Sequence, residues 1–379
     1  MKGTVDQRSV GSWRVRVYVG RDAAGKVQQV SRTVAGSKKD AERELARLLV
    51  EVDTGAVVKG TGDTLADLFE RWLAAVEPER SLYTFAEYKR LAAIIVHDLG
   101  DTKLDKLSGA RLDLYYSELR GRGLAPASVR RYHSLIHAAL GRAVKWGLVP
   151  ANPADRSTPP RAERSTVSAP GTGDVQRLIA TARAESEDVL ATAVVLAAVT
   201  GARRGELCAL RWSDVDPVRG TLTISRSLTV VDKIATEGPT KTHQRRDIAL
   251  DNGTAAVVMA RRAGQEELAA EVGCELVPDP FILSREPDGS APCLPSGLSH
   301  QYLHLAKRLG IATHWHELRH YAATALIASG IDPRTVAGRL GHADASVTLR
   351  VYAHVLEARD KAAADVLGAA VLGLPAVVS

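Results

Sequence analysis

His316-Glu317-Leu318-Arg319-His320 is the stretch on which the reading of this 379-residue chain turns. Helical spacing puts His316 and His320 on one face. Taken literally the pattern is H-E-x-x-H, two zinc-binding imidazoles with Glu317 as general base. A third ligand is then required. The metzincin continuation fails, because it needs Gly and His where this chain has Ala323 and Leu326. The next Glu downstream is Glu357, and His342 is a nominal alternative. The same five residues also place His316 and Arg319 three positions apart, both aimed at one phosphate. An Arg facing the site would disfavour a dication, which counts against zinc. An amphipathic helix with surface histidines is the plainest alternative.

Working upstream, Thr200-Gly201-Ala202-Arg203-Arg204-Gly205-Glu206-Leu207 follows an apolar helix. A glycine there lets the backbone turn sharply and holds the next side chains at a pocket floor. Arg203 beside a buried run needs an anion or a carboxylate, and Glu206, one turn on, is that carboxylate; a simple Arg–Glu pair capping a turn is the other reading. Lys241 sits at or beside a turn between two strands, where a lysine is ordinarily solvated, and Lys233 is its nearby competitor. Downstream, Ile331-Asp332-Pro333 starts a helix, with Asp as cap and Pro first, that ends at Gly341. His342 follows directly, Ser346 caps a further helix, and Tyr352 lies on it. Helix, glycine and helix in that order also resemble a helix-turn-helix, as in a DNA-binding regulator without catalysis.

The rest of the chain reads as two further pieces. Ser12–Val19 alternates as a strand, with Trp13, Val15, Val17 and Val19 on one face and Arg14 and Arg16 on the other; Val27–Val34 returns. Ser37 then caps a helix to about Val52, with Asp40 completing the box. Arg14, Arg16, Arg32, Lys38 and Lys39 are candidates to lie on DNA. Beyond a Gly/Thr-rich joint, Thr64–Val76, Ser81–Leu99, Ser108–Arg120 and Ala125–Trp146 carry helical periodicity, the last bearing Arg130 and Arg131 as further DNA-binding candidates. The expected domains are 1–60, a small sheet with one helix; 61–155, all helical; a linker, 156–170; and a mixed unit, 171–379. In that last unit, helices are expected at 174–185 and 187–200, strands at 221–224 and 246–250 with a turn at Glu237–Thr240, and a long surface loop at Val277–Ser299. The fold class is mainly α with small β-sheets, α+β.

Composition narrows the function classes. The chain is 25% charged and 45% hydrophobic but only 4% aromatic, which excludes collagen-like, disordered and coiled-coil readings and makes Ala, Val and Leu the core formers. Three scattered cysteines, Cys208, Cys274 and Cys293, form no disulfide framework. The N-terminus carries no secretory signal, and the longest apolar run, Val189–Ala202, falls short of the roughly 18–20 residues of a membrane span. A cytoplasmic protein is expected. Net charge is +6, of which +5 falls within residues 1–60, as for an arm that meets a polyanion.

Taken together, Arg203 in TGARRGEL, Lys241 in PTKTHQRRDIAL, His316 and Arg319 in HELRH, His342 in LGH and Tyr352 in TLRVYAHV resemble the tyrosine recombinase (phage integrase) family. The motifs stand in the family's order over about 150 residues, with ten positions from His342 to Tyr352. The resemblance implies an arm-type DNA-binding domain at 1–60, a helical, SAM-like core-binding domain at 61–155 and a catalytic domain at 171–379. It implies that Tyr352 is the nucleophile, that Arg203 and Arg319 clamp the phosphate, and that His316 helps accept the tyrosyl proton. Lys241 protonates the departing 5′-oxygen, His342 hydrogen-bonds the phosphate, and Glu206 orients Arg203. Strands would be cleaved and rejoined through a 3′-phosphotyrosyl link, integrating or excising a phage or mobile element, with no metal or other cofactor. The implied partners are double-stranded DNA at attachment sites, three further copies in a homotetramer on DNA, and a directionality or host bending factor. No membrane is involved, and the implied location is the cytoplasmic nucleoid. Type IB topoisomerases share this chemistry.

Overall fold

A computed structural model describes residues 3–21, 27–53, 62–161, 169–241, 244–341 and 360–372. The chain divides into two compact units, Met1–Ser165 and Thr166–Ser379. Among the described residues no helix is long and apolar enough to cross a membrane.

In the first unit, β1 (Gly3–Ser9), β2 (Ser12–Arg21) and β3 (Val27–Ala35) form an antiparallel sheet in that order. Helix α1 (Lys38–Asp53) buries Ala41, Leu48 and Val52 with Val15 and Val17 of β2. Ser37 and Asp40 form the expected cap: Ser37 N donates to Asp40 Oδ2 at 3.0 Å and Asp40 N to Ser37 Oγ at 3.3 Å. Strand β1 was not expected, because polar residues interrupt its alternation. The register also separates one DNA-binding candidate from the others. Arg32 pairs with Val15, not with an arginine, so it shares the α1 face, where Nη1 meets Glu44 Oε1 at 2.8 Å. Arg14 and Arg16 lie on the opposite face, across from Thr33 and Ser31.

The four expected helices are present as α2 (Leu65–Val76), α3 (Leu82–Leu99), α4 (Gly109–Gly121) and α5 (Pro126–Lys145). Their starts were legible because Thr64, Ser81 and Ser108 each accept from a backbone N–H of the first turn, and Pro126 supplies its fixed φ at the start of α5. Leu68, Phe69, Ile95, Leu112, Tyr115, Ile136 and Leu140 fill the core between them. The first residues of the expected linker are tied down: Thr158 N donates to Asp113 Oδ1 at 2.6 Å.

The second unit is built around α7 (Asp188–Thr200), which is apolar on every side and therefore buried, packed by α6 (Thr172–Ala184), α9 (Asn252–Glu271) and α11 (Trp315–Ala328). A short helix α8 (Arg204–Cys208) follows. Strands β4 (Val215–Asp216), β5 (Thr221–Ile224) and β8 (Arg246–Ala249) make one sheet, with Thr221 opposite Ala249 and Ile224 opposite Arg246. The turn expected at Glu237–Thr240 is not there. Glu237, Gly238 and Pro239 belong to β7 (Ile234–Pro239), which pairs with β6 (Arg226–Val231) as a separate hairpin. Its turn is Asp232-Lys233, both at positive φ. Gly-Pro misled because a proline at the end of an exposed edge strand loses no ladder bond.

The expected surface loop at 277–299 is likewise corrected. Phe281, Ile282, Leu283 and Ser284 are buried, and Ile282 N bonds Leu210 O at 3.0 Å, while α10 already begins at Pro295 (Pro295–Arg308). Helix α12 (Pro333–Leu340) starts and ends as expected, on the Asp332 cap and on Gly341 at φ 72°. A last helix covers Asp360–Leu372.

The turn after α7 is where this unit is most tightly constrained. Gly201 closes the helix at φ 62°, and a Cβ there would be driven into the Leu340 side chain. Gly201→Ala combines left-handed backbone strain with overpacking, so we expect a loss of about 2–4 kcal/mol. Chemical denaturation checks this; an unchanged midpoint would refute the close packing of α7 and α12.

Candidate active site

Where α7 ends, the chain must turn without leaving donors bare. Ala202 N donates to Thr200 Oγ1 at 3.1 Å, and Arg203 takes extended geometry as the cap of α8. Three residues on, the Glu206 carboxylate receives Arg203 N and Arg203 Nη1, each at 2.9 Å. Its second oxygen also receives Arg246 Nη2 at 2.5 Å, from the start of β8. Glu206 and Arg246 are 1% and 8% exposed, whereas Arg203 is 24% exposed, so the carboxylate is the hidden member and Arg203 the reachable one. Burial pushes the Glu206 carboxyl up, but Arg246 and then Arg203 outweigh it and hold it below the usual carboxylate range.

Three consecutive carbonyls at the end of α12 each accept from a different arginine. Arg339 O receives Arg246 Nε at 3.1 Å, Leu340 O receives Arg319 Nη1 at 2.7 Å, and Gly341 O receives Arg203 Nη2 at 3.3 Å. Arg319, buried in α11, also donates to Gly201 O at 2.7 Å, so one guanidinium joins the ends of α7 and α12. Arg339 donates to Val199 O at 3.1 Å and to Ala249 O at 3.2 Å. Cations here complement the carbonyl ends of two helices whose last turns have no partners of their own.

His316 and His320 lie one turn apart on α11 with ring centroids 4.9 Å apart, edge to face. His316 reaches the surface, yet the protein around it strips water from the ring, and His320, Arg319, His314 and Arg203 add repulsion. Its pKa falls from 6.5 to about 4, so the imidazole is neutral at neutral pH. Glu317 has a backbone partner at the start of its own helix. Its carboxylate accepts from His314 N at 2.9 Å, closing the N-terminus of α11. Among the described residues no third His, Cys, Asp or Glu joins the histidines in a metal-holding group, and His342 lies outside those residues.

The phage integrase family model matches residues 172–359, the stretch that contains all of these groups. The chain belongs to the phage integrase family. It is similar along most of its length to a "Tyrosine recombinase XerC-like" protein of Caldanaerobacter subterraneus subsp. tengcongensis, 24% identical over 94% of this chain and 95% of that one. The ICEBs1 integrase of Bacillus subtilis is 23% identical over 94% and 97%. Among solved structures, the Tn1549 transposon integrase in complex with transposon right end DNA matches with a TM-score of 0.68 at 18% identity, covering 79% of this chain and 99% of that one. A lambda integrase tetramer bound to a Holliday junction matches at 0.60 and 19%, covering 91% and 94%. These likenesses support the α+β fold.

Set against the integrase expectation, Arg203, Glu206, His316 and Arg319 come together from two elements, α8 with its cap and α11. Lys241 is exposed one residue after Thr240, whose Oγ1 closes the loop on Gln244, and Lys233 sits at the tip of the β6–β7 hairpin. His342 and Tyr352 lie outside the described residues. Arg130 and Arg131 are exposed on α5, Arg131 bonded to Glu87 Oε1 at 2.5 Å; Lys38 and Lys39 are exposed at the start of α1. Arg246 and Arg339 were missed. Arg246 had a signal, because alternation in Arg246-Asp247-Ile248-Ala249 puts it on the inward face with Ile248. Arg339 had none, since its partners lie 90 and 140 residues away.

The depressed imidazoles fix a pH dependence. Between the unfolded value of 6.5 and about 4, the unfolded chain binds protons at His316 that the folded chain refuses. The stability they allow is fully present above that window and drains as pH falls through it. His320 is shifted the same way, by burial first and then by Arg319. We expect the melting temperature of the second unit to drop from about pH 7 to about pH 5, and to drop less in His316→Gln. Parallel curves for the two proteins would show that the ring is not crowded.

Proposed function

We propose that this integrase is a site-specific DNA recombinase that cleaves and rejoins strands through a 3′-phosphotyrosyl link on Tyr352. The observation that carries the reading is the arginine set around one turn: Arg203 and Arg319 held at the same helix end, beside a neutral His316. A phosphodiester resists attack because its anionic oxygens repel nucleophiles, so charge neutralisation comes first. Arg203 offers a two-donor fork to the non-bridging oxygens, with Arg319 beside it. Tyr352, with an ordinary pKa near 10, must lose its proton as it attacks, and a neutral imidazole at His316 accepts it. Lys241 protonates the departing 5′-oxygen. It is preferred over Lys233 because its loop leads into β8, which carries Arg246 to Glu206. His342 hydrogen-bonds the phosphate, and Glu206 orients Arg203. The phosphotyrosyl bond retains the energy of the one broken, so rejoining requires no nucleotide and no metal.

The domain division that goes with this reading is an arm-binding domain at 1–60, a core-binding domain at 61–155, a linker at 156–170 and a catalytic domain at 171–379. Arg14 and Arg16, the latter paired with Asp6, would meet DNA from the sheet face that also carries Thr33 and Ser31, with Arg130 and Arg131 on the core-binding helices; Arg32 is left out because it lies on the other face, with Glu44. Two duplexes exchanging strands need four active sites, hence a homotetramer on DNA. In support, the helix Asp360–Leu372 leaves Leu367, Val371 and Leu372 exposed, an apolar surface available to a second copy. The substrate places the protein at the nucleoid, with attachment sites of a phage or mobile element and a bending or directionality factor as its company.

The test is a nicked suicide DNA built from the sequence flanking the gene, incubated in EDTA and run on a denaturing gel. A shifted protein–DNA band that Tyr352→Phe abolishes is expected; binding of the same DNA without any band would favour a regulator without catalysis. In the arm, Arg14→Ala/Arg16→Ala should weaken binding to DNA carrying arm sites and lower the slope of log affinity against log salt by about 2, since each phosphate contact accounts for about 0.9. An unchanged slope would remove those two residues from the interface.

A further inference from the structure

Arg203 has two described side-chain partners, Glu206 and the carbonyl of Gly341, and a second arginine bonds the first of them and a carbonyl two residues before the other. Arg246 donates Nη2 to Glu206 and Nε to Arg339 O, two residues before Gly341. The two guanidiniums thus run side by side between the same two elements, α8 and the end of α12. One is 8% exposed and the other 24%. Space for the inner one is reserved: a Cβ on Gly341 would lie 2.7 Å from Arg246 Nη1.

We propose that Arg246 is a positioning residue, which holds Glu206 and the α12 end together and thereby sets the direction in which the Arg203 guanidinium meets the scissile phosphate. The inference rests on the recombinase reading above. Arg246 itself is too deeply buried to touch DNA. A buried ion pair is in general replaceable by apolar packing without loss of stability, so stability alone does not call for an arginine here. Its planar fork does. It reaches a carboxylate on one element and a carbonyl on another at fixed spacing, which the single ammonium of a lysine cannot do.

The experiment uses the full chain and the same nicked DNA, and measures single-turnover cleavage, DNA affinity and melting temperature. Two variants are compared with wild type. Arg246→Lys keeps a cation beside Glu206, and Glu206→Gln/Arg246→Met removes the stranded charge altogether. In both we expect melting within a few degrees of wild type and affinity within about threefold, but cleavage slower by about 10- to 100-fold, less than the roughly 100- to 1000-fold that follows outright removal of a donor to a developing charge. A structural role would let the rate recover along with the fold. Wild-type cleavage in either folded variant therefore overturns the proposal. Failure of both to fold also overturns it, by making Arg246 a folding residue. A wild-type protein that forms no covalent adduct with DNA it binds fails the recombinase reading itself, and this inference with it.

Discussion

A carboxylate with 1% of its surface exposed, held between two guanidiniums, is the constraint around which the second unit is arranged. Glu206 cannot be buried as an anion unless its lone pairs are filled, and Arg203 and Arg246 fill them from two directions. Meeting that demand ties α8 to β8 through the Arg246–Glu206 bond. One further donor of each of the same two arginines goes to the end of α12. A change at any of these three elements is felt at the other two, because none of the ions can be left alone in the interior.

The helix ends supply the other half of the arrangement. Helix α7 is buried on all sides, so its last carbonyls have no water to turn to, and α12 ends beside it at Gly341. Arg319 and Arg339 answer the carbonyls of Val199, Gly201 and Leu340. Positive charge is thereby concentrated at one spot for a reason internal to the fold, the satisfaction of helix C-termini. The same concentration suits an anionic phosphate. Scaffold and candidate site use the same bonds, which is why the structure-bearing residues Arg246 and Arg339 belong in any account of the chemistry.

Much of this was legible in the chain. Caps at Ser37, Thr64, Ser81, Ser108 and Asp332 marked helix starts because a short polar side chain there meets bare backbone donors. Glycine at 201 announced the turn that aims Arg203, and the spacing from Arg203 to Glu206 announced their pair. Local signals failed where partners were distant or chemistry was mixed. The Asp232-Lys233 turn carries no glycine, and Gly238-Pro239 looked like a turn while lying in an edge strand. Phe281–Ser284 looked like surface loop amid Pro, Gly and Ser, yet it is drawn inward by pairing with Leu210 and Arg211.

The sequence by itself determined the capped helices and the inventory: where α1 to α5 and α12 begin, and which arginines, histidines and carboxylates are available. Those properties depend on neighbours within a few positions, and short-range physics suffices. Tertiary structure alone decided how the inventory is used. It turned Arg32 toward Glu44 and away from Arg14 and Arg16, committed Glu317 to closing a helix, and recruited Arg246 and Arg339 to carbonyls 90 or more residues away. Hydrogen-bond demand in a buried site is met by whatever donor the packing brings within about 3 Å, and sequence spacing says nothing about which donor that will be.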